Sequence, residues 1–398
     1  MTRTAPQKAS HYRVGLVLQT GQELMRGITR GVYQFARVNR GWQICGDGQY
    51  PLLNWDQVSD WRGDGLIAVV NSQQQLDTLL SASVPAVNAG SRIRHKRLPT
   101  VACDSHAIGS MAATHLLNCG LKNFLFLSEL RWENERIRFE SFKSTVTAAG
   151  HRCDALKLPV HEVVTTDASG HYQVEVESVA QALLGSRKPL GICTPNAELA
   201  RTVVEVANDC GLEVPDEVAI IGVNDDPLIC ESTVPHISAV IQPAEQIGYQ
   251  AAVRLDSIMQ DRNPDMADCL LQPIGVAVRQ STDMLAIEDE DVREALKYIR
   301  EYAQDPIDVA DVLAHVAVSR RTLEAKFRAT IQRTPALEIR RVRLERAKRL
   351  LAETNDPITN VVFACGFNSR QVFSTLFRNE TGVTPSEFRR KFQPEVLR

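Results

Sequence analysis

The sequence predicts a two-lobed α/β domain with parallel sheets, followed by an all-α domain with two helix-turn-helix motifs. From His11 to about Asp283, short β-branched runs alternate with amphipathic stretches, a pattern typical of parallel sheets covered by helices. After a polar, acidic linker at 284–290 the strand pattern stops, and residues 291–398 show only helical periodicity and short turns. Within this last part, one ten-residue pattern occurs twice, 50 positions apart.

The first domain is expected to occupy residues 11–283. About ten strand–helix units exceed what one core ordinarily holds, so two lobes are expected. The predicted division places 11–126 and 240–283 in the first lobe and 127–239 in the second. The strand candidates are Arg13–Leu18, Gly65–Val70, Phe124–Ser128, Leu190–Thr194 and Val218–Val223. The helix candidates are Glu23–Val38, Ala107–Cys119, Glu135–Ala149 and Leu199–Cys210.

The first helix-turn-helix unit is predicted at residues 308–330. A tight turn is followed by Ser319, whose hydroxyl can accept hydrogen bonds from the free amides of a helix N-terminus. Leu323 and Phe327 then face a core at i and i+4 spacing. In such a unit the second helix enters the major groove, where long polar side chains reach base edges. The outward-facing residues here are Arg320, Arg321, Glu324 and Lys326.

The second unit is predicted at residues 358–380. A shift of 50 positions places Ser369, Phe373 and Phe377 on the Ser, Leu and Phe of the first unit, and Gly366 supplies the turn. The outward-facing residues are Arg370, Gln371, Ser374 and Thr375. The helix between the units, PALEIRRVRLERAKRLLAET, fixes their separation, and two units on one face of B-DNA lie about 34 Å apart.

Charge is divided unevenly along the chain. The net charge of −3 combines +9 between Val318 and Arg398, from 17 Lys and Arg against 8 Asp and Glu, with −12 in the rest. A basic end on an acidic body indicates a polyanion partner for that end. A solvated, charged helix surface explains the same numbers, so charge alone leaves both interpretations open. The two motif copies in register favour double-stranded DNA.

Two stretches carry a family resemblance: RVRLERAKRLL, and ACGFNSRQVFSTLFRNETGVTPSEFRR near the end of the chain. Through them residues 291–392 resemble the AraC/XylS-type DNA-binding domain, which implies promoter DNA and RNA polymerase as partners. The implied base-reading positions are Arg321, Glu324, Ala325, Arg370, Gln371, Ser374 and Thr375. Ala325 departs from the family pattern because it offers only apolar contact. The first unit is therefore expected to recognise fewer base pairs, or to rely on Arg320 and Arg321 for base contacts.

The first domain carries no motif of a common enzyme or metal site. Residues 11–283 contain no P-loop, no G-x-G-x-x-G after a strand, no nucleophile elbow and no H-E-x-x-H. The nine cysteines include no C-x-x-C pair, and the nine histidines form no clear cluster with Cys or carboxylates. We therefore expect a binding domain without cofactor or metal. A small-molecule enzyme fused to a DNA-binding module is the less favoured alternative.

Four stretches of the first domain carry a second resemblance: VACDSHAIGSMAATHLLNCGLKNFLFLS, RFESF, TPNAELARTVVEVANDCGLEVPDEVAIIGVNDDPL and ISAVIQPAEQIGYQAAVRL. They resemble the LacI-type and periplasmic sugar-binding fold, in which a ligand lies between two lobes at the carboxyl ends of the strands. The polar residues matched to the family motifs are Asp104, Arg138, Asn196 and Asn224, and Asp225 is added as their neighbour. Asn224 replaces the usual Asp, which keeps an acceptor but loses the charge.

Further candidates lie in two loops. A sugar ring needs one aromatic face beside its polar contacts, and Trp132 is the candidate for it. Near it are Glu133 and Glu135, while the residues that follow the first strand and complete the site are Gln19, Gln22 and Glu23. Simpler interpretations are an N-cap for Asp104, a surface cation for Arg138 and a lid hydrophobe for Trp132.

The order of the two domains is similar to that of sugar-operon regulators. This resemblance implies an aldopentose effector, with D-xylose first, and a homodimer that binds promoter direct repeats and activates sugar-catabolic genes. A hexose, a polyol or a nucleobase remains an alternative effector. The apolar run Val14–Leu18 is too short for a signal peptide, and no window of about 20 apolar residues exists. A cytoplasmic protein without membrane contact is therefore expected.

Overall fold

The computed structural model describes residues 11–18, 21–39, 41–46, 52–158, 176–261, 266–284, 289–331 and 333–392. Over these residues the chain forms a two-lobed α/β domain followed by an all-α domain. This confirms the fold class that the strand–helix alternation and its end near Asp291 predicted.

The α/β domain alternates strands and helices along the chain. Its strands are β1 (Tyr12–Val17), β2 (Trp42–Cys45), β3 (Gly65–Ala68), β4 (Ala86–Asn88), β5 (Val101–Cys103), β6 (Asn123–Ser128), β7 (Arg152–Lys157), β8 (Leu190–Cys193), β9 (Val218–Val223), β10 (Ser238–Ile241), β11 (Cys269–Leu271) and β12 (Gly275–Ala277). Its helices are α1 (Glu23–Val38), α2 (Gln73–Ser81), α3 (Ser105–Asn118), α4 (Glu133–Ala148), α5 (Val176–Gly185), α6 (Ala197–Asp209), α7 (Pro227–Cys230) and α8 (Ala244–Met259). The candidate strands and helices agree with these bounds to within about two residues, the usual scatter at element ends.

Each lobe is built on a mostly parallel sheet. The first has the order β2-β1-β3-β4, and the parallel pair β5-β11 extends it through a bridge between Asn88 and Thr100. The second has the order β12-β10-β9-β8-β6-β7, in which β12 runs antiparallel to β10. Central strands such as β9 are buried at every position because helices cover both faces of the sheet.

The described chain crosses between the lobes three times. It crosses at Asp104 after β5, at Gln242–Pro243 after β10 and at Gln272–Pro273 after β11. The carboxyl ends of strands from both lobes therefore meet at these crossovers, which is where α/β folds bind ligands.

The division into lobes differs from the expected one. The second lobe begins before residue 127, because α3 packs on α4 and β6 starts at Asn123. It also includes β10 and β12, which were assigned to the first lobe within 240–283 or at its border. Among the described elements after β10, α8 and β11 are those that belong to the first lobe. Periodicity cannot detect such short segments because strands of both lobes have the same pattern.

The second domain contains only helices within its described residues. They are α9 (Glu290–Tyr302), α10 (Val309–Val316), α11 (Arg320–Ile331), α12 (Pro335–Glu353), α13 (Ile358–Ala364), α14 (Arg370–Thr381) and α15 (Pro385–Phe392). The pairs α10/α11 and α13/α14 form the two predicted helix-turn-helix units, with α12 between them.

The helix α12 contributes to two separate hydrophobic cores. Ile339 and Val342 pack with Leu323 and Phe327 of the first unit. One to three turns later, the second core is formed by Leu344, Ala347, Leu351, Phe373 and Phe377. The two units are therefore attached to opposite halves of one continuous helix, as the sequence predicted for a spacer of fixed length.

Candidate effector cleft and DNA interface

Asp104 lies at the first crossover and accepts hydrogen bonds from three residues. Its Oδ1 accepts hydrogen bonds from the backbone N–H groups of His106 at 2.9 Å and Ala107 at 3.3 Å, which caps α3. Its Oδ2 accepts one from Nε2 of Gln272, at the third crossover, at 3.2 Å. The N-cap interpretation is thus correct for one oxygen, while the other faces the hinge between the lobes.

Arg138 is buried in the second lobe, with only 5% of its surface exposed. Its Nη1 donates to the carbonyl of Pro195 at 2.8 Å, while its Nε has no hydrogen-bond partner among the described residues. Burial lowers the pKa of Arg138, and the nearby Cys103 and Glu135 act in the opposite direction. A surface role is therefore excluded. A buried N–H without an acceptor is costly, so this group is suited to receive a ligand oxygen.

Three predicted effector contacts follow β8 and β9, and they form different bonds within the protein: Asn196, Asn224 and Asp225. Asn196 caps α6 through Oδ1, which accepts from the backbone of Leu199 at 2.8 Å. Asn224 adopts a left-handed backbone conformation with φ of 73°, and its Oδ1 accepts a hydrogen bond from Nε2 of Gln242 at the second crossover. The carboxylate of Asp225 forms an ion pair with Arg279 at 2.7 Å. Asp225 therefore has a structural partner in Arg279, and its role as an effector contact stays a prediction.

The first turn of α4 adds a polar residue that the sequence analysis missed. Asn134 is buried, its Nδ2 donates to Oγ of Ser91 in the first lobe at 3.2 Å, and its Oδ1 has no partner within the described chain. Asn134 precedes Arg138 by four residues and so lies on the same face of α4. This helical spacing was the only signal in the sequence that could have identified it.

Trp132 and Glu135 lie at the same end of α4. The Trp132 ring is half-buried and has the guanidinium carbons of Arg131 at 4.8 Å and Arg92 at 5.9 Å from its centroid. Glu135 is buried and accepts a hydrogen bond from Oγ of Ser128 at 3.0 Å. Burial, together with the Glu135 carboxylate, raises the pKa of Glu129. The N-terminal end of α4 thus combines an aromatic ring with charged groups of both signs.

Contacts bridge the two lobes at both edges of the cleft. At one edge Nε2 of Gln22 donates to Glu198 at 2.8 Å, and the backbone N–H of Glu23 donates to Asp226 at 2.8 Å. At the other edge Arg94 forms an ion pair with Glu133 at 2.8 Å. These predicted cleft residues therefore hold the lobes together, whereas Gln19 lies outside the described residues.

The two recognition helices present the same surface. Over 321–330 and 371–380, the sequence of buried, half-buried and exposed positions is identical. Thr322 donates its backbone N–H to Oγ of Ser319 at 3.2 Å, and Val372 does the same to Ser369 at 3.4 Å. The repeat in the sequence is thus a repeat in exposure and capping.

The predicted base-reading side chains are accessible on this surface. Positions that are exposed in both helices are Arg320, Arg321, Ala325, Arg370, Gln371 and Thr375, while Glu324 and Ser374 are half-buried. Within α11 the carboxylate of Glu324 forms ion pairs with Arg320 at 3.0 Å and Arg328 at 3.7 Å. An exposed apolar residue, Val372, stands beside Gln371 and was not among the predicted positions. It offers α14 a contact for a thymine methyl group.

Comparison with known proteins matches both domains. Residues 113–282 match the family described as "Periplasmic binding protein-like domain", and residues 312–391 match "Helix-turn-helix domain". The xylose operon regulatory protein of Escherichia coli K12 is 28% identical over 388 residues, which are 95% of this chain and 97% of that protein. The solved structure of a xylose-binding transcription activator, xylR, has a TM-score of 0.60 at 26% identity, covering 95% of this chain and 98% of that one. The chain is a DNA-binding transcriptional regulator.

The sensor half of this regulator also has fold neighbours of its own. A LacI-type regulator from Enterococcus faecium, solved with bound ribose, has a TM-score of 0.52 at 20% identity over 68% of this chain and 98% of that chain. At this identity the likeness concerns the fold alone. Among the described residues of the regulator, no helix has the length and apolar character needed to cross a bilayer.

Proposed function

We propose that this regulator is a cytoplasmic, homodimeric activator of pentose-catabolic genes whose effector is D-xylose. The observation that carries the proposal is the match of nearly the whole chain, in the same domain order, to xylose operon regulatory proteins and to a xylose-binding activator structure. Either domain alone would support only a sensor or a DNA-binding module.

The cleft has the chemistry that an uncharged polyhydroxyl ligand requires. Arg138 Nε supplies a free donor and Asn134 Oδ1 a free acceptor on the same face of α4. The half-buried ring of Trp132, which has the Arg131 guanidinium over it, lies at the start of the same helix and is the candidate aromatic contact. Asp104 lies at the first crossover and accepts a hydrogen bond from Gln272 at the third, and Asn224 accepts one from Gln242 at the second, so both candidates adjoin the boundary between the lobes. Paired donors and acceptors with one ring face match the alternating hydroxyl and C–H surfaces of a pentose.

The proposed response follows from the contacts between the lobes. Sugar tightens a cleft that ion pairs already bridge, and this changes how the DNA-binding domains of a dimer are presented to promoter direct repeats and to RNA polymerase. The sugar shifts this equilibrium only by its differential affinity for the two states, so we expect a coupling of about 1–3 kcal/mol.

Isothermal titration calorimetry on the full chain tests the effector. The panel contains D-xylose, L-arabinose, D-ribose, D-glucose, xylitol and adenine. We expect D-xylose to bind at least tenfold more tightly than every other compound, about 1.4 kcal/mol. D-ribose is the most informative comparison, because a regulator with a similar fold was solved with bound ribose. Preferential binding of ribose, a hexose, a polyol or adenine would replace D-xylose as effector and leave the regulator assignment in place.

A further inference from the structure

One helix of the sensor extends from the effector cleft to the DNA-binding domain. Helix α3 begins after Asp104 at the first crossover and ends at Asn118, so its 14 residues span roughly 20 Å. It is packed so closely on α4 that a Cβ at Gly109 would lie 2.2 Å from the carbonyl oxygen of Arg138. Movement of the cleft wall around Arg138 therefore carries α3 with it.

The far end of α3 is bound to the DNA-binding domain through Arg333. Nη2 of Arg333 donates to Oδ1 of Asn118, and Nη1 donates to Oε2 of Glu338 at 3.0 Å. Glu338 lies in the first turn of α12, is 2% exposed, and is also held by Arg341 at 2.6 and 3.0 Å. Burial alone would raise the pKa of Glu338, but Arg341 and Arg333 outweigh it and lower this pKa. One guanidinium thus joins the last residue of α3 to a buried, ionised carboxylate of α12.

A second contact lies beside the first. Nη1 of Arg300, on α9, donates to the carbonyl of Met284 at 3.1 Å and lies 3.7 Å from Asp283. On α3, Nε2 of His115 lies 2.8 Å from Oγ1 of Thr282. Burial lowers the pKa of His115 to about 3, and the charges of Arg300 and Arg341 act in the same direction. The imidazole is therefore neutral and tolerates these guanidinium groups near it.

The DNA-binding domain also lies against the other lobe. Helix α15 approaches α8, which belongs to the first lobe and begins at the second crossover, while α12 approaches β12 of the second lobe. Because the domain contacts both lobes, a change in their relative position must change at least one of these contacts.

We propose that Arg333 is the positioning residue that couples the effector cleft to the recognition helices. Its bond to Asn118 joins the end of α3 to the start of α12, so a movement of α3 changes the direction of α12. Helix α12 in turn contributes to the cores of both helix-turn-helix units. The proposal rests on the proposed effector response and names the residues that transmit it.

The first experiment measures coupling in the full chain. DNA is selected from a random pool by the wild-type protein with D-xylose, and the Kd for the selected duplex is measured without and with saturating D-xylose. Asn118→Ala removes the acceptor of Arg333 and leaves Glu338 its other partners. We expect the ratio of the two Kd values to fall about fivefold or more towards unity. Asn118→Asp keeps an acceptor and should retain the wild-type ratio.

A matched control and a double variant distinguish a loss of coupling between sugar and DNA binding from a general loss of stability. Asn208, in the same lobe, donates Nδ2 to the carbonyl of Val234 at 3.0 Å, away from the DNA-binding domain. Asn208→Ala should keep the wild-type ratio. Arg333→Met should lose coupling as Asn118→Ala does, and the double variant should lose no more than Arg333→Met. Wild-type ratios in both Asn118→Ala and Arg333→Met would overturn the proposal.

A second measurement does not depend on any sugar. Hydrogen exchange of residues 335–341 is followed in the sugar-free full chain. Faster exchange in Asn118→Ala than in Asn208→Ala supports the connection, because α12 then loses a restraint on its first turn. Equal exchange in the two variants overturns it. If wild-type DNA affinity does not respond to D-xylose, the proposed effector is wrong, and the exchange result still decides whether Asn118 restrains α12.

Discussion

Asn134 and Arg138 lie one turn apart on α4, and each leaves one polar atom without a partner in the described part of the chain: an acceptor, Oδ1, and a donor, Nε. Both side chains are buried. Most buried polar atoms in folded proteins are hydrogen-bonded. Two exceptions on one helix face indicate a place where a ligand completes the bonding.

Replacing Arg138 tests this relationship. Arg138→Met should weaken D-xylose binding by about 10- to 100-fold, because a hydrogen bond from a charged donor contributes about 1.5–3 kcal/mol. The melting temperature should stay equal or rise, since a buried charge without a full set of partners is removed. Calorimetry and thermal unfolding provide both values. Glu140→Gln, at an exposed position of the same helix, is the control and should change neither.

The exposed face of α11 leads to a prediction about sequence readout. Arg321→Ala should weaken binding to the selected duplex by about 1–3 kcal/mol and relax preference at one base pair, while binding to unrelated DNA changes little. Competition binding on a set of single-base variants measures this. Lys297→Ala removes an exposed positive charge from α9, outside the recognition helices, and should leave the base preference unchanged.

Salt concentration should affect DNA binding and sugar binding differently. The net charge of +9 between Val318 and Arg398 predicts that DNA affinity falls steeply as salt rises, with log K decreasing by about 0.9 per decade of salt for each phosphate neutralised. Binding of an uncharged sugar should change little over the same range. Fluorescence anisotropy and calorimetry at matched salt concentrations give the two slopes. A flat DNA curve would mean that the basic end of the chain is not the binding surface.

The turn of the second unit predicts an effect on stability. Gly366 has φ of 77°, and a Cβ there would lie 2.3 Å from the carbonyl oxygen of Ala303. Gly366→Ala should lower the free energy of unfolding by about 2 kcal/mol or more. The turn of the first unit has its own left-handed residue, Ala317, with φ of 54°, one position away in the repeat, and Ala317→Gly should be nearly neutral. Urea unfolding compares the two variants.

His115 predicts how stability depends on pH. Its pKa is about 3 in the folded chain, below its ordinary value of 6.5, because of burial and nearby Arg300 and Arg341. The unfolded chain binds a proton below about pH 6.5 and the folded chain does not, so this residue favours unfolding increasingly as the pH falls towards 3. His115→Gln should therefore reduce the loss of stability between pH 7 and 5. Chemical denaturation at several pH values tests this, and equal pH slopes would contradict it.

Local patterns predicted most of the fold, and long-range pairing explains most of the differences. The repeat around Ser319 and Ser369 needs only neighbouring residues, so the helix-turn-helix units were predicted with their caps and outward faces. The ion pair between Asp225 and Arg279 joins residues far apart in the chain, and no spacing rule indicates it. The same applies to the bond between Asn118 and Arg333 across the domain boundary. Periodicity reports which side of an element is buried, but it does not identify the partner.

The sharing of α12 by two hydrophobic cores has a consequence for the operator. Because the single helix α12 joins both helix-turn-helix units, the distance between the two recognition helices is fixed. The two major-groove segments that they contact must therefore be separated by a fixed number of base pairs, near one helical repeat of about 10–10.5. Inserting a single pair there would rotate one binding segment out of reach. Promoters of this regulator are therefore constrained in length at positions whose bases no side chain needs to recognise.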